Sequence, residues 1–269
     1  MADSPLRLTL TVLGSGTSVG VPTIGCHCKV CTSEDPRNRR LRPSLLVRWA
    51  GHSVVIDTGP DFRQQALAAG IEQLDAILYT HAHADHILGI DDLRPFNFHQ
   101  RGPIPIHCTA ATLEVIQRVF AYIFHAGPSE SSRPKIQPVL FDGGVFGIAG
   151  LDFLPVPLKH GSGPCHGFRF ANAAYLTDHS EIPEESLPLL SNLDVLFLDA
   201  LRYKPHPTHS TVDQSLKTVD LLKPRRAYFT HISHDLEHER AESLLPPNVR
   251  LAYDGLEIAL DTTAGVAAA

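Results

Sequence analysis

The sequence lacks any apolar run near the ~20 residues that a membrane-spanning helix requires. Stretches such as Val195–Leu198 are far shorter. Its first residues carry no charged segment followed by an apolar one, so we expect no export signal and a cytoplasmic protein. A basic excess is also absent, because the formal net charge is −6 with histidine neutral. We therefore expect neither a membrane nor a nucleic acid as partner.

Neither a repeat of fixed period nor a linker-like stretch divides the 269 residues, so we expect a single domain over residues 1–269. A core of this size needs no disulfide bond. Short apolar runs alternate with helical patterns, which are predicted over Thr112–Tyr122, Val212–Leu222 and Leu236–Leu245. The irregular segment Ala126–Pro138 is predicted to be either a passive surface loop or a lid over a site.

Histidine is unusually abundant, with 16 residues against 12 phenylalanines. Three of the five cysteines crowd into the segment Cys26-His-Cys28-Lys-Val-Cys31. In a reducing compartment, such clustering favours metal binding over a disulfide bond. The other two, Cys108 and Cys165, stand alone beside strand-like runs and are predicted to be buried apolar residues.

Two polar segments near the N-terminus have simpler interpretations. Arg37, Arg39, Arg40 and Arg42 form a local cluster that we interpret as a solvated loop. The glycine-containing segment Gly14–Ser18 follows the first predicted strand. Its backbone N–H groups could bind a phosphate, or the segment could be only a tight turn.

The main chemical signal is His81-Ala-His83-Ala-Asp85-His86, which comes directly after a strand-like run. Functional groups collect at the carboxyl ends of strands, and imidazole and carboxylate are ligands that suit Zn, Mn or Fe. A tight turn can divide the four side chains between two ions. His81 and His83 would then bind one ion, and Asp85 and His86 the other. A histidine-rich surface loop without metal is the alternative.

Six residues cannot complete two metal shells, so further ligands must come from later in the chain. His160, Asp178 and His231 each stand at the end of an apolar run of strand length. Asp178 is best suited to bridge two cations, because a carboxylate has two oxygens.

This order of residues resembles the metallo-β-lactamase superfamily over nearly the whole chain, from Leu6 to about Leu260. The resemblance implies an αββα sandwich, in which two mixed β-sheets are flanked by helices. The catalytic metal ligands that it implies are His81, His83, Asp85, His86, His160, Asp178 and His231. Asp57 matches an early strand-end aspartate that supports the metal-binding loop in that superfamily without binding metal itself.

The cysteine cluster makes the resemblance more specific. It is similar to that of the phosphoribosyl cyclic phosphodiesterases of the carbon–phosphorus lyase pathway, which carry a Cys3His zinc site beside the catalytic metals. In those enzymes the last catalytic histidine and the structural histidine stand three apart, as His231 and His234 do here. The implied ligands of one structural zinc are Cys26, Cys28, Cys31 and His234, on a zinc-binding loop at about residues 25–43. A metal-free group of thiols is the alternative.

By this resemblance the chain is a metal-dependent phosphodiesterase for a small cyclic or activated phosphodiester. Two catalytic divalent ions, zinc or manganese, would hold a bridging hydroxide as nucleophile. We assign Asp85 and His209 as catalytic residues, because His209 occupies the position of the family's substrate-side histidine. His206, between two prolines, is the competing candidate for the general acid.

Three other functions stay open. A tRNA 3′-processing endonuclease would use a protruding Gly- and Lys-rich arm, which this sequence lacks. A lactone or thioester hydrolase shares the same metal motif. A non-catalytic relative in cofactor biosynthesis is disfavoured because all seven ligands are retained. The expected partner is a small phosphodiester substrate, and the oligomeric state is open, with a homodimer as one possibility.

Overall fold

The computed structural model describes residues 6–125 and 131–262. Within this part of the chain, the strands are β1 (Leu6–Gly14), β2 (Ser44–Trp49), β3 (His52–Ile56), β4 (Ala76–Leu78), β5 (Ile104–Cys108), β6 (Ile136–Leu140), β7 (Phe146–Ile148), β8 (Leu151–His160), β9 (Gly163–Phe170), β10 (Ala173–Leu176), β11 (Val195–Asp199), β12 (Arg226–Thr230), β13 (Val249–Leu251) and β14 (Glu257–Thr262). The α-helices are α1 (Phe62–Ala68), α2 (Ala84–Ile87), α3 (Arg94–Gln100), α4 (Ala110–Val119), α5 (Ala121–Phe124), α6 (Val212–Leu222) and α7 (His238–Glu242). Short 3-10 helices span Pro36–Asn38, Leu88–Leu93 and Glu184–Leu190.

These strands form two seven-stranded sheets with the orders β14-β1-β2-β3-β4-β5-β6 and β13-β12-β11-β10-β9-β8-β7. In the first sheet, β14 to β3 pair antiparallel and β3 to β6 pair parallel. The second sheet likewise combines an antiparallel half, β7 to β10, with a parallel half, β10 to β13. Both sheets are therefore mixed, and the predicted αββα architecture is confirmed.

Three apolar layers hold the sheets and helices together. The inner faces of the two sheets meet in a core that includes Leu10, Trp49 and Phe153. The outer face of each sheet is covered as well, by helical residues such as Phe62 on the first sheet and Val219 on the second. Strands that are buried on both faces carry continuous apolar runs in place of an alternating pattern. These strands therefore show in the sequence as short, uninterrupted apolar runs.

Helix α6 begins where the sequence predicts it, directly after the histidine-containing loop. Thr211 caps it, since its hydroxyl accepts a hydrogen bond from the Gln214 backbone N–H at 3.2 Å. The Gln214 side chain in turn accepts from the Thr211 N–H at 2.8 Å, which completes a capping box. The capping box fixes the start of the helix three residues after His209, so a rigid element begins close to that histidine.

Two predicted helices are shorter in the structure. The pattern over Thr112–Tyr122 corresponds to two helices, Ala110–Val119 and Ala121–Phe124, because Phe120 leaves the helical conformation with φ −112° and ψ 43°. The pattern over Leu236–Leu245 includes only the short helix α7. Apolar spacing locates the buried face of a helix better than it locates its ends.

The interpretation of the arginine cluster as a solvated loop was wrong for Arg40, which is 1% exposed. Its guanidinium donates to the Ser233 carbonyl at 2.9 Å and the Leu236 carbonyl at 2.8 Å, and also to the Asn38 side chain. Burial lowers the pKa of Arg40 to about 10, and the carbonyl partners compensate for the water it has lost. Arg40 thereby ties the loop between β1 and β2 to the segment after β12.

Several further predictions concern single segments. Cys108 and Cys165 are buried, as predicted, with at most 1% of either exposed. No helix in the described ranges is long and apolar enough to cross a membrane. Of the proposed lid, residues 126–130 lie outside the described residues, and β6 begins at Ile136. The single domain and the extent of the zinc-binding loop stay predictions.

Candidate metal centre

Strand ends from both sheets bring the predicted ligands together. His81 lies three residues after β4 and leads into the short helix α2, which carries Asp85 and His86. His160 is the last residue of β8, and His231 directly follows β12. Because the carboxyl ends of parallel strands lie at the same edge of a sheet, residues far apart in sequence become neighbours there.

Three residues of this region adopt a left-handed backbone. Asp57, Asp178 and His231 have φ values of 64°, 52° and 57°. This conformation is uncommon for residues other than glycine and costs of order 1–3 kcal/mol when it occurs. Each of the three comes just after a strand, where a left-handed residue turns the chain out of the sheet at once. Such strain clusters at functional sites, where the surrounding structure enforces it.

A first group consists of His81, His83 and His160. The ring centroids of His81 lie 4.5 Å from His83 and 5.1 Å from His160. His160 donates from Nδ1 to the Thr208 carbonyl at 2.8 Å, which leaves its Nε2 lone pair available. The buried Nε2 of His81 has no hydrogen-bond partner among the described residues. Since His83 is exposed, this group faces solvent.

A second group consists of Asp85, His86, Asp178 and His231, all buried and with ligand atoms within 4.8 Å of one another. The Nε2 atoms of His86 and His231 approach an Asp178 oxygen at 3.3 and 3.2 Å. Neither nitrogen makes a hydrogen bond within the described part of the chain. These nitrogens and the Asp178 oxygen are close together but are not hydrogen-bonded to each other. Ligands that surround one cation have this arrangement.

Asp57 contacts this group from behind. His86 donates from Nδ1 to an Asp57 oxygen at 2.8 Å, and Asp57 also accepts from the backbone N–H and the hydroxyl of Thr80, each at 2.9 Å. The contact fixes the His86 tautomer so that Nε2 carries the lone pair that faces Asp85 and Asp178. Burial raises the pKa of the Asp57 carboxyl, and the neighbouring His86 opposes that shift. Asp57 therefore orients His86, and metal binding by His86 stays a prediction.

The electrostatics of the second group favour a cation. Desolvation lowers the pKa of His231, but the carboxylates of Asp178 and Asp85 outweigh it and raise that pKa to about 9. Desolvation likewise raises the pKa of Asp178, yet His231 and His86 hold it well below its usual range. The two buried carboxylates are therefore stable as anions only next to positive charge. When no metal is bound, protons on the imidazoles provide that charge. A divalent cation would satisfy both the charge and the unpartnered nitrogens, so the donor set fits one.

Asp178 lies between the two groups. A carboxylate oxygen of Asp178 belongs to the second group, and a carboxylate oxygen of Asp178 also lies within 4.8 Å of ligand atoms of His160 and His209. This is the position that a bridging carboxylate would need, although metal binding by these residues stays a prediction. The Thr177 hydroxyl donates to the other Asp178 oxygen at 2.6 Å and fixes the carboxylate plane.

His209 adjoins both groups but is held by a different carboxylate. Its Nδ1–H donates to Asp199 at 2.7 Å, and its ring stacks on His231 with centroids 4.4 Å apart at an angle of 12°. Its Nε2 therefore points away from Asp199, and one of its ring nitrogens lies within 4.8 Å of ligand atoms of His160 and Asp178. His206 makes no such contact with a carboxylate among the described residues, and its Nδ1 accepts from Thr208. The geometry favours His209 over His206 as an acid.

Sequence reasoning missed Asp199. This residue is the last of β11, is fully buried, and accepts hydrogen bonds from His209 and from the His179 backbone N–H. The available signal was its position, since Asp199 directly follows an apolar run just as Asp57 does.

The Gly14–Ser18 segment behaves as a tight turn. The backbone N–H groups of Ser15, Gly16 and Thr17 donate to Asp254, Leu41 and Ile232. Those three donors are therefore not available to a phosphate, and the alternative that this segment binds one is not supported. An added Cβ on Gly16 would lie 2.8 Å from the Arg40 Cβ, so this close approach requires glycine.

The thiol cluster forms next to the metal centre. The sulfurs of Cys26, Cys28 and Cys31 lie 3.3, 3.6 and 3.3 Å from Nδ1 of His234. Tetrahedral zinc with Zn–S near 2.3 Å and Zn–N near 2.0 Å would separate such ligands by about 3.6 Å, so the arrangement fits zinc. The Cys31 N–H donates to the Cys28 sulfur and lowers the pKa of that thiol to about 6, which favours the thiolate that metals bind.

Known proteins resemble this chain over most of its length. The family described as beta-lactamase superfamily domain matches residues 52–232. A crystal structure described as a new diphosphatase from the PhnP family is 50% identical, covers 96% of this chain and 99% of its own, and superposes with a TM-score of 0.91.

Two curated relatives carry other names. An octanoyltransferase of Porphyromonas gingivalis is 38% identical and covers 93% of this chain but 51% of its own length. A ribonuclease Z of Bradyrhizobium diazoefficiens is 34% identical over 52% of this chain and 47% of its own length. The chain spans about half the length of these curated relatives, so their names describe proteins with a further portion that does not match it.

Proposed function

We propose, since the chain belongs to the metallo-β-lactamase superfamily and within it to the PhnP family, that it is a metal-dependent hydrolase of a small activated phosphodiester. The observation that carries the proposal is the convergence of unpartnered imidazole nitrogens and buried carboxylates beside the His209–Asp199 pair. The relative that is 50% identical is described as a diphosphatase, which favours phosphorus over carbon as the electrophile.

Two divalent ions, zinc or manganese, are the proposed catalytic metals. Residues of the first group would hold one ion, residues of the second group the other, and Asp178 would contact both. When bound, such a pair lowers the pKa of a water molecule and neutralises charge on the phosphoryl oxygens. The Cys3His cluster would hold a third, structural zinc.

His209 is the proposed general acid. A protonated ring whose Nδ1–H is held by Asp199 can donate from Nε2 to the oxygen that leaves phosphorus. The buried carboxylate stabilises the imidazolium and fixes its orientation, so the proton is already aimed at the reacting bond. Asp199 is thus a positioning residue.

Asp85 is the second proposed catalytic residue. One of its oxygens lies 3.2 Å from Nε2 of His86 and 3.9 Å from Nε2 of His231. Desolvation opposes ionisation, but His86 and His231 hold the pKa of Asp85 far below its usual range. An ionised carboxylate here can accept a hydrogen bond from the attacking water and orient it towards phosphorus.

The proposed substrate is small and enters on the side of the exposed His83. With a formal net charge of −6, the chain has no general attraction for a nucleic acid. A cytoplasmic location and a homodimer stay predictions.

The test is metal analysis combined with a substrate screen. We expect about three divalent ions per chain, and hydrolysis of bis(p-nitrophenyl) phosphate that a chelator abolishes and Mn²⁺ or Zn²⁺ restores. Cyclic phosphodiesters, a lactone and a precursor tRNA form the other arms of the screen. Full metal content with turnover of only the lactone or only the tRNA would refute the proposed reaction.

A further inference from the structure

Thr80, the residue before His81, is held between the two sheets. Its backbone N–H donates to an Asp57 oxygen at 2.9 Å, and its carbonyl accepts from the His166 N–H at 3.0 Å. Asp57 follows β3 of the first sheet, whereas His166 belongs to β9 of the second. Only 1% of Thr80 is exposed, so its hydroxyl must find its partners within the protein.

The Thr80 hydroxyl contacts a carboxylate on one side and an imidazole on the other. It donates to an Asp57 oxygen at 2.9 Å and lies 3.0 Å from Nδ1 of His81. Both oxygens of Asp57 face donors, since His86 also donates to it at 2.8 Å, so this carboxylate acts as an acceptor. A hydroxyl has one proton and two lone pairs. The Thr80 proton therefore goes to Asp57, and the Nδ1–H of His81 donates to a lone pair of the same hydroxyl.

This chain of hydrogen bonds, from His81 through Thr80 to Asp57, fixes the tautomer of His81. A proton on Nδ1 leaves the lone pair on Nε2, which is buried and has no hydrogen-bond partner among the described residues. Cys165 is the competing contact of Nδ1. Its sulfur is 3.8 Å away, and a thiol is only a weak acceptor, so Thr80 is the better partner.

Asp57 is therefore connected to both groups of candidate ligands. It contacts His86 of the second group directly, and it reaches His81 of the first group through the hydroxyl of Thr80. The centroids of the two rings are 4.2 Å apart, and each ring has its Nδ1 on the side of Asp57 or Thr80 and an unpartnered Nε2. One buried carboxylate thus determines which nitrogen is free in a ligand of each group.

A second Thr-His pair provides an internal comparison. Thr230 is the last residue of β12 and directly precedes His231, and like Thr80 it is 1% exposed. In the described part of the chain, its hydroxyl has no hydrogen-bond partner, and neither has Nδ1 of His231. The two pairs share residue types, burial and a place at the end of a strand. They differ in whether the threonine hydroxyl connects the histidine to a carboxylate.

Resting on the function proposed above, we infer that Thr80 is a positioning residue that extends the orienting role of Asp57 from His86 to His81, and thereby to both metal positions. Its hydroxyl keeps the proton of His81 on Nδ1 and the lone pair of Nε2 available to the ion of the first group. A hydrogen bond of this kind behind a histidine ligand raises its basicity and fixes its ring. Loss of such a bond lowers metal affinity by about 10–100-fold.

The test measures Mn²⁺ binding by calorimetric titration, because Mn²⁺ prefers carboxylate ligands to thiolates and leaves the thiol cluster aside. The wild-type protein should bind two Mn²⁺ ions. Thr80→Val removes the hydroxyl and keeps the shape of the side chain, so one ion should bind about 10–100-fold more weakly and the other within about 3-fold. Thr80→Ser keeps the hydroxyl and should bind both ions within about 3-fold of wild type. Thr230→Val is the matched control and should change neither ion.

A His83→Ala background shows which ion is affected. His83 belongs only to the first group, so this variant should bind one Mn²⁺ ion, at the second group. In that background, Thr80→Val should leave the dissociation constant within about 3-fold. Asp57→Asn should raise it about 10–100-fold, because the amide no longer offers two acceptor oxygens to His86 and Thr80.

Thr80→Val that binds both ions as Thr230→Val does would overturn the inference. Equal weakening of both ions, or a failure of Thr80→Ser to restore binding, would overturn it as well. If Thr80→Val does not fold, proton–nitrogen NMR of the imidazole rings in the zinc-loaded wild-type protein decides. We expect a slowly exchanging proton on Nδ1 of His81, and a proton on its Nε2 would contradict the hydrogen-bond chain.

Failure of the proposed function looks different from failure of this inference. The wild-type protein would then bind two Mn²⁺ ions, with the same differences among the variants of Thr80 and Thr230, and would hydrolyse no phosphodiester.

Discussion

The catalytic cluster and the thiol cluster differ in how the chain builds them. The catalytic cluster, which consists of the seven predicted catalytic metal ligands between His81 and His231, lies at the ends of four strands, and six of its seven residues are buried. The thiol cluster takes three of its four ligands from one six-residue segment, and three of the four are only partly buried. Yet the two clusters meet, because His231 and His234 stand on the same short loop after β12.

The difference shows what each cluster can do. Donors fixed by strand ends of the core, most of them buried, can hold a charge arrangement that water would otherwise screen. A partly exposed set of thiolates on a loop instead links an N-terminal segment to a C-terminal one, and its binding energy becomes folding energy. Loss of the first should therefore remove activity, whereas loss of the second should lower stability.

The largest effect is expected for Asp178→Ala. This carboxylate lies within reach of both ligand groups, so its removal should release most of the catalytic metal and lower kcat/KM by about 10⁴-fold or more. Elemental analysis and rate measurements check both expectations. Asp152→Ala, at a half-buried position of β8, serves as the control. Two catalytic ions per chain in Asp178→Ala would contradict the bridging position.

A smaller loss of activity with the metals retained is expected for His209→Ala. Removal of a general acid lowers kcat by about 10²–10⁴-fold. Asp199→Asn should lower kcat in the same direction by less, since the imidazole is still present but its orientation and charge are no longer held. Wild-type turnover in His209→Ala, measured at equal metal content, would remove this residue from the mechanism.

Cys28→Ser tests whether the thiol cluster binds zinc and stabilises the fold. We expect the loss of one zinc per chain and a fall in the melting temperature of about 5–10 °C. The folded fraction should keep its catalytic metals and its turnover within about 3-fold. Cys108→Ala is the control, because it removes a buried thiol outside the thiol cluster and should destabilise the fold without loss of zinc. Unchanged zinc content and melting temperature in Cys28→Ser would dismiss the structural site.

The smallest expected effect concerns a histidine in neither cluster. His107 is 7% exposed and stacks on Phe146 at 4.6 Å, and burial lowers its pKa from 6.5 to about 4. Because the folded-state pKa is below the unfolded value, the neutral ring contributes stability above pH 6.5 that is lost as the pH falls towards 4.

His107→Phe keeps the stacking and removes this titration. Between pH 7 and pH 5, the metal-free variant should lose about 1–2 kcal/mol less unfolding free energy than the metal-free wild type. Denaturant titrations at the two pH values measure the difference, with His99→Phe at an exposed position as control. Identical pH dependence in wild type and His107→Phe would show that burial of this ring is not what shifts its protonation.

Much of the candidate site could be predicted because its signal is local. The motif from His81 to His86 fits within six residues, and His160, Asp178 and His231 each follow an apolar run that forms a strand. Strand ends are where a chain leaves the core, so a polar ligand there has a physical reason that a single sequence reveals.

Other features of the fold could not be predicted, because local sequence patterns do not show them. The burial of Arg40 depends on carbonyls of Ser233 and Leu236, almost 200 positions away, and no local pattern marks them. The strands β6, β7 and β13 cannot be predicted from the sequence, because three to five residues with charges or prolines nearby give too weak a period. Phe120 ends α4 although the apolar spacing continues past it.

The sequence by itself determined the layered αββα fold through the resemblance of its motifs to a known superfamily. It also determined where the candidate ligand side chains leave the strands, because each follows a short apolar run of strand length. Only the tertiary structure decided that Asp178 stands between the two groups of candidate ligands, that Asp199 holds His209, and that His206 lies beside His209. The reason is geometric: spacing along the chain sets distances only within one element, whereas the pairing and twist of two sheets set the distances among residues from different strands.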